Sequence, residues 1–453
     1  MKQRSNFTSK LGFVLAAAGS AVGLGNLWRF PYLAAQHGGG TFLLVYLILA
    51  VTFGFALMIT EIAIGRKTGL SAIGAFNALD KRFGFLGVLT AIIPIIILPY
   101  YSVIGGWVIK YFATFISGNI TSAASDEFFG GFISNPIEPL GWFFLFIALT
   151  AIIVLFGVEK GIEKVSKVMM PVLAVLTVGI AIFVVTRPGA WDGVVYYIKP
   201  NFKDFSPTTI LAAMGQLFYS MSLAMGIMVT YGSYMKKTDN LESSVRQIEI
   251  FDTAIAFLAG LMIVPAAYMF FDGSTEGLKK GPTLMFVILP KVFNQMGTTT
   301  GTIIGVAFFL LVFFAALTSS ISLMETIVSI VMDKTKLNRK LACIVVAVFS
   351  LLMGVPSSLG FNVWAHIAPL GQDLLTFFDF VSNSVLMPIV AFFTCILIGF
   401  IMKPKTVIEE VKVTDGKFQS QGLYVVMIKW IAPIFILAIL AFSVAEGLGF
   451  ISV

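Results

Sequence analysis

An apolar stretch long enough to cross a bilayer is interrupted, between Gly19 and Pro31, by three glycines, an asparagine and an arginine. No water reaches the backbone in hydrocarbon, so N–H and C=O groups freed from a helix must find partners inside the protein. A helix breaks at that depth only where protein or a water-lined cavity receives those groups. The break also creates a half-helix N-terminus that attracts anions, and loose carbonyls that hold cations. The segment therefore reads as a binding site for a small solute and a metal ion.

The rest of the chain agrees with a membrane setting. Of its 453 residues 58% are hydrophobic and only 12% charged, about half the charged fraction of a soluble domain. Mean hydropathy is +0.95. The first apolar segment is too long for a secretory signal, and no small-residue cleavage site follows it. Cys343 and Cys395 both fall in apolar stretches and read as small buried hydrophobes, which leaves no disulfide framework and no C-x-x-C metal site. The net charge of +7 needs no nucleic acid, because membrane topology concentrates lysine in loops.

Eleven spans are expected, at 11–35, 41–64, 86–116, 139–157, 166–186, 207–234, 247–271, 301–332, 340–356, 375–402 and 423–447. Lys2, Arg4 and Lys10 precede the first span. Alternate loops then carry Arg66, Lys67, Lys81 and Arg82; Lys160, Lys164 and Lys167; and Lys236, Lys237 and Arg246. The loops 117–138 and 357–373, on the other side, have no lysine or arginine. The positive-inside rule puts the N-terminus in the cytoplasm, and an odd number of spans puts the C-terminus outside the cell membrane. In a bacterial cell that is the inner membrane.

The sixth span holds a second interruption, Gly215-Gln216-Leu217-Phe218-Tyr219-Ser220-Met221-Ser222-Leu223-Ala224-Met225-Gly226. Spans 1 and 6 each head a group of five, as in transporters whose inverted repeats meet at a midplane site. A glycine-rich membrane helix taken singly is more often a close-packing surface than a site. Two breaks at matched positions, one with an asparagine and one with serine hydroxyls, favour a site. The expectation is an all-α polytopic membrane protein of two inverted five-helix repeats, 11–186 and 207–402, plus an additional span at 423–447.

Arg29, Glu61, Asp252, Glu325 and Asp379 lie within or at the edge of spans, where a centred, unpaired charge costs at least about 2.5 kcal/mol. Arg29 and Asp379 could meet across an outer vestibule. Asp252 suits a cation or, alternatively, caps the seventh helix near Lys236, Lys237 and Arg246. Glu61 could accept N–H groups left unmade by a broken helix. Thr318-Ser319-Ser320-Ile321-Ser322, ahead of Glu325, either back-bonds within its helix or supplies oxygen ligands. Carbonyls, hydroxyls and an amide suit a hard cation such as Na⁺. His37 and His366 fall near the outer face, and no His/Cys cluster suits zinc.

GSAVGLGNLWRFPY, GGGTFLLVYL, TEIAIGR, PYYSVIGGW, GQLFYSMSLAMG with SYMKK, and LTSSIS together resemble the neurotransmitter:sodium symporter family, from Arg4 to beyond Asp379. The prokaryotic amino-acid branch is the nearest in pattern, including members without a twelfth span. The resemblance implies the fold typified by the bacterial leucine transporter and two sodium sites. One would use the carbonyls of Gly19, Val22 and Ala315 with the hydroxyls of Thr318 and Ser319. The other would use the Ala21 carbonyl, Asn26, Ser220, Asp252 and a substrate carboxylate oxygen. The N–H groups of Leu24 and Gly25, with the Tyr101 hydroxyl, would bind that carboxylate. Carbonyls near Tyr219 and Ser222 would take the ammonium. Ala21, Gly23, Ile97, Tyr219, Ser222, Met225, Ser319 and Leu323 would line the side-chain pocket. The outer gate maps to Arg29 and Asp379 under Tyr101 and Tyr219. The inner gate maps to Arg4 and Asp333, with Phe7 where the family usually has tryptophan.

Departures from the family pattern sharpen the expectation. Asp252 stands where asparagine is usual, and Ala256 where the bacterial leucine transporter has the carboxylate that substitutes for chloride. Asp252 would then partly fill that role and make transport chloride-independent. Gly23 stands where monoamine carriers have aspartate, which fits a zwitterion with its own carboxylate. Tyr219 replaces the usual lid phenylalanine and Ala224 a glycine, while Met225 is adaptable and apolar. The expected function is sodium-coupled uptake of aliphatic or aromatic L-amino acids. An intramembrane enzyme is disfavoured, since no histidine evidently serves Ser319 or Ser320 and no G-x-S-x-G occurs. A channel would need charge rings or a filter-like repeat, which are missing. A receptor built on a transporter fold is the remaining alternative.

Overall fold

The computed structural model describes residues 6–273 and 281–450. Among these, nine helices are long and apolar enough to cross a bilayer, and a bent pair, Lys10–Ala21 and Gly25–Gln36 at 55°, makes a tenth span. The sixth expected span is not one helix. Its halves, Pro207–Ser220 and Ile227–Gly232, flank a non-helical stretch at 221–226. Counting both interrupted ones, helices stand at all eleven expected positions in order. The outer surface carries apolar side chains at helical spacing, such as Val168, Val172, Val175 and Ile182 on the fifth span, which are exposed. Such a stripe suits lipid rather than water.

Five stretches read as loops contain helices: Ala72–Leu79, Asp126–Ser134, Ala190–Ile198, Leu284–Gln295 and Lys405–Lys412. They are amphipathic or short, so a search for long apolar runs passes over them. The fifth span starts at Val158, before the expected residue 166, because Lys160, Lys164 and Lys167 ride on its first turns. The ninth runs Arg339–Leu359 and carries Pro356 inside the helix rather than ending before it. Cys343 and Cys395 are buried free thiols.

Small residues set the distance between the helices around the site. A Cβ on Gly65 would lie 1.9 Å from the Val229 carbonyl oxygen, and one on Gly232 would lie 2.3 Å from that of Ile62. Span 2 (Gly40–Thr68) thus packs backbone to backbone against the second half of span 6. That contact brings Glu61 beneath the sixth-span break, where its Oε1 accepts the Ala224 N–H at 2.6 Å. Ser222, Ala224 and Gly226 have φ of +52°, +61° and +78°. For the two non-glycine residues this is a left-handed conformation that costs about 1–3 kcal/mol unless it is held.

Glu61→Ala is expected to destabilise the purified protein by about 1–3 kcal/mol, the penalty of a buried donor left unpaired. Glu61→Gln, which keeps an acceptor oxygen, should retain most of that stability. Thermal unfolding in detergent distinguishes them, and an equal loss in both variants would contradict an acceptor role.

Candidate functional site

The two breaks face each other, and a cavity opens between them against spans 3 and 8. Its lining is Ser20, Ala21, Gly23, Leu24, Gly25, Asn26, Ile97, Tyr101, Tyr219, Ser220, Ser222, Met225, Ile227, Ser319 and Leu323. All the residues expected around a substrate are among these. Space explains the glycines. A Cβ at Gly23 would stand 2.9 Å from the Ser319 hydroxyl oxygen and 3.3 Å from that of Tyr101. At Gly25 it would meet the Tyr219 ring at 2.5 Å. A side chain at residue 23 would have to push Ser319 aside and crowd Tyr101. The first N–H groups of the half-helix beginning near Leu24 and Gly25 have no partner in their own helix. The buried Tyr101 hydroxyl stands beside the Leu24 N–H and the Ser319 hydroxyl without a well-formed hydrogen bond to either. These donors converge on the cavity as a seat for an anionic group.

Beside the cavity stands a cluster of oxygens. Asp252 is fully buried. Its Oδ1 accepts from Asn26 Nδ2 at 2.8 Å, and the Ser220 hydroxyl lies 3.0 Å from each of its oxygens. The Asn26 side-chain oxygen in turn accepts the Gly23 N–H at 3.0 Å, which fixes the turn between the half-helices. Asp252 is not a cap. Asn240 caps Leu241–Phe270, and Asp252 lies about three turns inside that helix. Its hydrogen-bond partners are all neutral. A buried carboxylate without a cationic partner is costly, and a bound cation removes that cost.

A second cluster lies where span 8 (Thr298–Lys334) crosses the first break. The Ser319 hydroxyl is 3.4, 3.2 and 3.3 Å from the carbonyl oxygens of Gly19, Ser20 and Val22. The Thr318 hydroxyl donates to the Phe314 carbonyl at 2.9 Å and approaches that of Ala315 at 3.2 Å. Gly19, Val22, Ala315, Thr318 and Ser319 thus come together, and every donor atom is an uncharged oxygen, a set that fits a hard monovalent cation. Glu325 belongs elsewhere: it accepts from the Tyr234 hydroxyl at 2.8 Å and pairs with Arg339.

The gates are partly assembled. Asp379 accepts from the Tyr100 hydroxyl at 3.0 Å and from Asn383 Nδ2 at 2.6 Å. Arg29 lies 5.7 Å from the Tyr219 ring centroid and acts on Asp379 at longer range than an ion pair. The expected direct Arg29–Asp379 pair is therefore not formed, because Tyr219 takes the guanidinium and Tyr100 with Asn383 takes the carboxylate. At the other end Asp333 accepts from the Ser71 N–H at 3.0 Å and the Ser71 hydroxyl at 2.5 Å. Arg4 lies outside the described residues. Phe7 is buried in a T-shaped cluster with Phe13, Tyr231 and Tyr234. Sequence reasoning missed Ser20 and Ile227 in the cavity wall, Gln216, whose Nε2 donates to the Gly25 carbonyl at 3.1 Å, and Tyr100 at the gate. Ser20 and Gln216 stood inside motifs already singled out. A polar residue within an apolar span was the available signal.

Comparison with known proteins agrees with this geometry. A model of the sodium:neurotransmitter symporter family matches residues 4–129 and 134–448. The chain belongs to that family. The symporter is 37% identical to YhdH, an uncharacterized sodium-dependent transporter of Bacillus subtilis, over 84% of each chain. It is 33% identical to an uncharacterized sodium-dependent transporter of Haemophilus influenzae, covering 97% of this chain and 98% of that one. Among solved structures it resembles MhsT in complex with L-phenylalanine, at TM-score 0.87 and 38% identity, over 97% of this chain and 100% of that one. The fold is accordingly two inverted five-helix repeats headed by broken spans, with one further span. The symporter is a sodium-dependent membrane transporter of a small molecule, not an enzyme.

Asn26 ties the first break to Asp252, and Asn26→Ala removes both bonds at once. A charge-assisted hydrogen bond is worth about 1.5–3 kcal/mol. Sodium-driven uptake into proteoliposomes is expected to fall at least about tenfold, and wild-type uptake by that variant would remove Asn26 from the machinery.

Proposed function

We propose that this symporter carries hydrophobic L-amino acids, aliphatic or aromatic, coupled to two sodium ions and independent of chloride. The observation that carries the reading is the buried Asp252 carboxylate with only neutral partners, set against a cavity lined by the Tyr101 hydroxyl and a half-helix N-terminus. A sodium ion held by Asn26, Ser220, Asp252 and the Ala21 carbonyl would neutralise that carboxylate. The substrate carboxylate, drawn to Leu24, Gly25 and Tyr101, would complete the same coordination shell. Each ligand then raises affinity for the other by the same factor. Carbonyls near Tyr219 and Ser222 would take the ammonium, leaving the side chain to Ile97, Met225 and Leu323. Those apolar walls, and the lack of an acidic residue at Gly23, favour a hydrophobic zwitterion. The likeness to a transporter solved with L-phenylalanine supports the same class.

The second ion would be held by Gly19, Val22, Ala315, Thr318 and Ser319, tying span 1 to span 8. We read 11–186 and 207–402 as the two halves that move against each other in alternating access, with 423–447 as an accessory span. We also take the N-terminus as cytoplasmic and the C-terminus as extracytoplasmic, in a bacterial inner membrane.

Proteoliposomes with an inward sodium gradient are expected to accumulate labelled L-phenylalanine, L-tryptophan, L-leucine or L-isoleucine, and to lose accumulation when choline replaces sodium. Uptake that ignores sodium, or is confined to polar amino acids, would overturn the assignment. Gluconate in place of chloride is expected to leave uptake unchanged. Asp252→Asn, which removes the fixed charge, is expected to make residual uptake respond to chloride. A wild-type requirement for chloride would defeat the role given to Asp252.

A further inference from the structure

We propose that Ser20 is a positioning residue that couples the second cation cluster to the sixth-span break, and so to the amino-acid cavity. The inference rests on the reading of the two clusters just given. Ser20 is buried in the cavity wall, one residue outside the ligand sets assigned above.

Its connections form a closed circuit. The Ser20 hydroxyl donates to Ser222 Oγ at 3.1 Å, and the Ser222 hydroxyl donates back to the Ser20 carbonyl at 2.9 Å. The same carbonyl lies 3.2 Å from the Ser319 hydroxyl. A carbonyl oxygen has two lone pairs and can serve both donors. Ser319 has one proton and three carbonyls in reach, those of Gly19, Ser20 and Val22. If the Gly19 and Val22 carbonyls and the Ser319 oxygen turn to a cation, Ser20 is the carbonyl left for the Ser319 proton, beside the Tyr101 hydroxyl. A hydroxyl whose oxygen faces a cation is a stronger donor, so the loaded cluster fixes the position of the Ser20 carbonyl on which Ser222 also rests.

The receiving end of this chain is a place where small forces matter. Ser222 has φ +52°, a conformation that a non-glycine residue keeps only when its surroundings hold it. Its two bonds to Ser20 supply that hold. Ser222 also lines the cavity beside Ser220, the residue on Asp252. A cation at the second cluster thereby steadies the conformation of the break that shapes the substrate cavity, without touching substrate itself. The reverse holds by linkage: substrate that orders Ser222 strengthens the second cluster.

The test is equilibrium binding of labelled L-phenylalanine and L-leucine to the full-length protein in nanodiscs, at trace and at saturating sodium. The quantity read is the factor by which sodium raises affinity. Ser20→Ala is expected to lower this factor about fivefold, the scale of one ordinary hydrogen bond. Ser222→Ala should lower it similarly, and the double variant should be no worse than the worse single, because both break one circuit. A second readout is made without sodium or amino acid: backbone hydrogen exchange at 221–226 should quicken in Ser20→Ala. A wild-type sodium factor in Ser20→Ala, additive single effects, or unchanged exchange would overturn the inference while the proposed function stands. If binding to the unmodified protein ignores sodium altogether, the proposed function falls, and the coupling with it.

Discussion

The structure depends on what becomes of main-chain polar groups released at the two breaks. In water they would be hydrated at little cost, but here each must be met by a particular side chain. Glu61 from span 2 takes the Ala224 N–H, and Asn26 takes that of Gly23. Ser222 bonds the Ser20 carbonyl and Gln216 the Gly25 carbonyl. Two of these four bonds run directly between the breaks, so neither half-helix can shift without unsettling the other. The same bonds that make the interruptions tolerable also aim the remaining free groups into one cavity. Structure and function share one set of constraints.

Close helix approach is the second requirement, because serine and threonine hydroxyls are short. Gly65 and Gly232 let span 2 reach the sixth break, and Gly19 lets the first span reach span 8, where an added Cβ would lie 3.2 Å from that of Thr318. The alternatives of packing surface and binding site, left open for glycine-rich helices, are therefore not exclusive. At Gly65 and Gly232 the glycines are packing devices whose consequence is a site. At Gly23 and Gly25 they leave the room that the cavity occupies.

What was legible in the residues follows from the same physics. Spans were readable because hydrocarbon imposes length and composition, and the breaks because glycine, asparagine and proline are conspicuous there. Glu61 could be given its partner type in advance, since a buried acid near a broken helix has few other uses. The helices Ala190–Ile198 and Leu284–Gln295 were not legible, being too short to carry a span signal. Nor was the outer gate. Opposite charges at Arg29 and Asp379 suggested a direct pair, but Tyr100 and Asn383 satisfy the carboxylate first. Ser20 was hidden because small hydroxyl residues are common in membrane helices, and only its three contacts distinguish it.

The two ends of the molecule are held with unequal force. On the N-terminal side the Thr8 N–H donates to Glu163 Oε2 at 2.7 Å, and the Thr8 and Ser9 hydroxyls reach Glu163 Oε1 at 2.5 and 3.1 Å. Lys167 joins the same oxygen at 2.7 Å, and Lys236 donates to the Thr8 carbonyl at 2.7 Å. Phe7 plugs the aromatic cluster alongside. On the opposite side Arg29 and Asp379 interact without contact, and Tyr219 is only partly covered. Hydrogen bonds to a buried carboxylate are among the stronger ones, while a cation above an aromatic ring at this distance adds about 0.5–1 kcal/mol. Opening toward the N-terminal side must therefore release or carry along the Glu163 cluster. On the opposite side the Arg29–Tyr219 contact is the weak one, while the Tyr100 hydroxyl still ties span 3 to the Asp379 carboxylate.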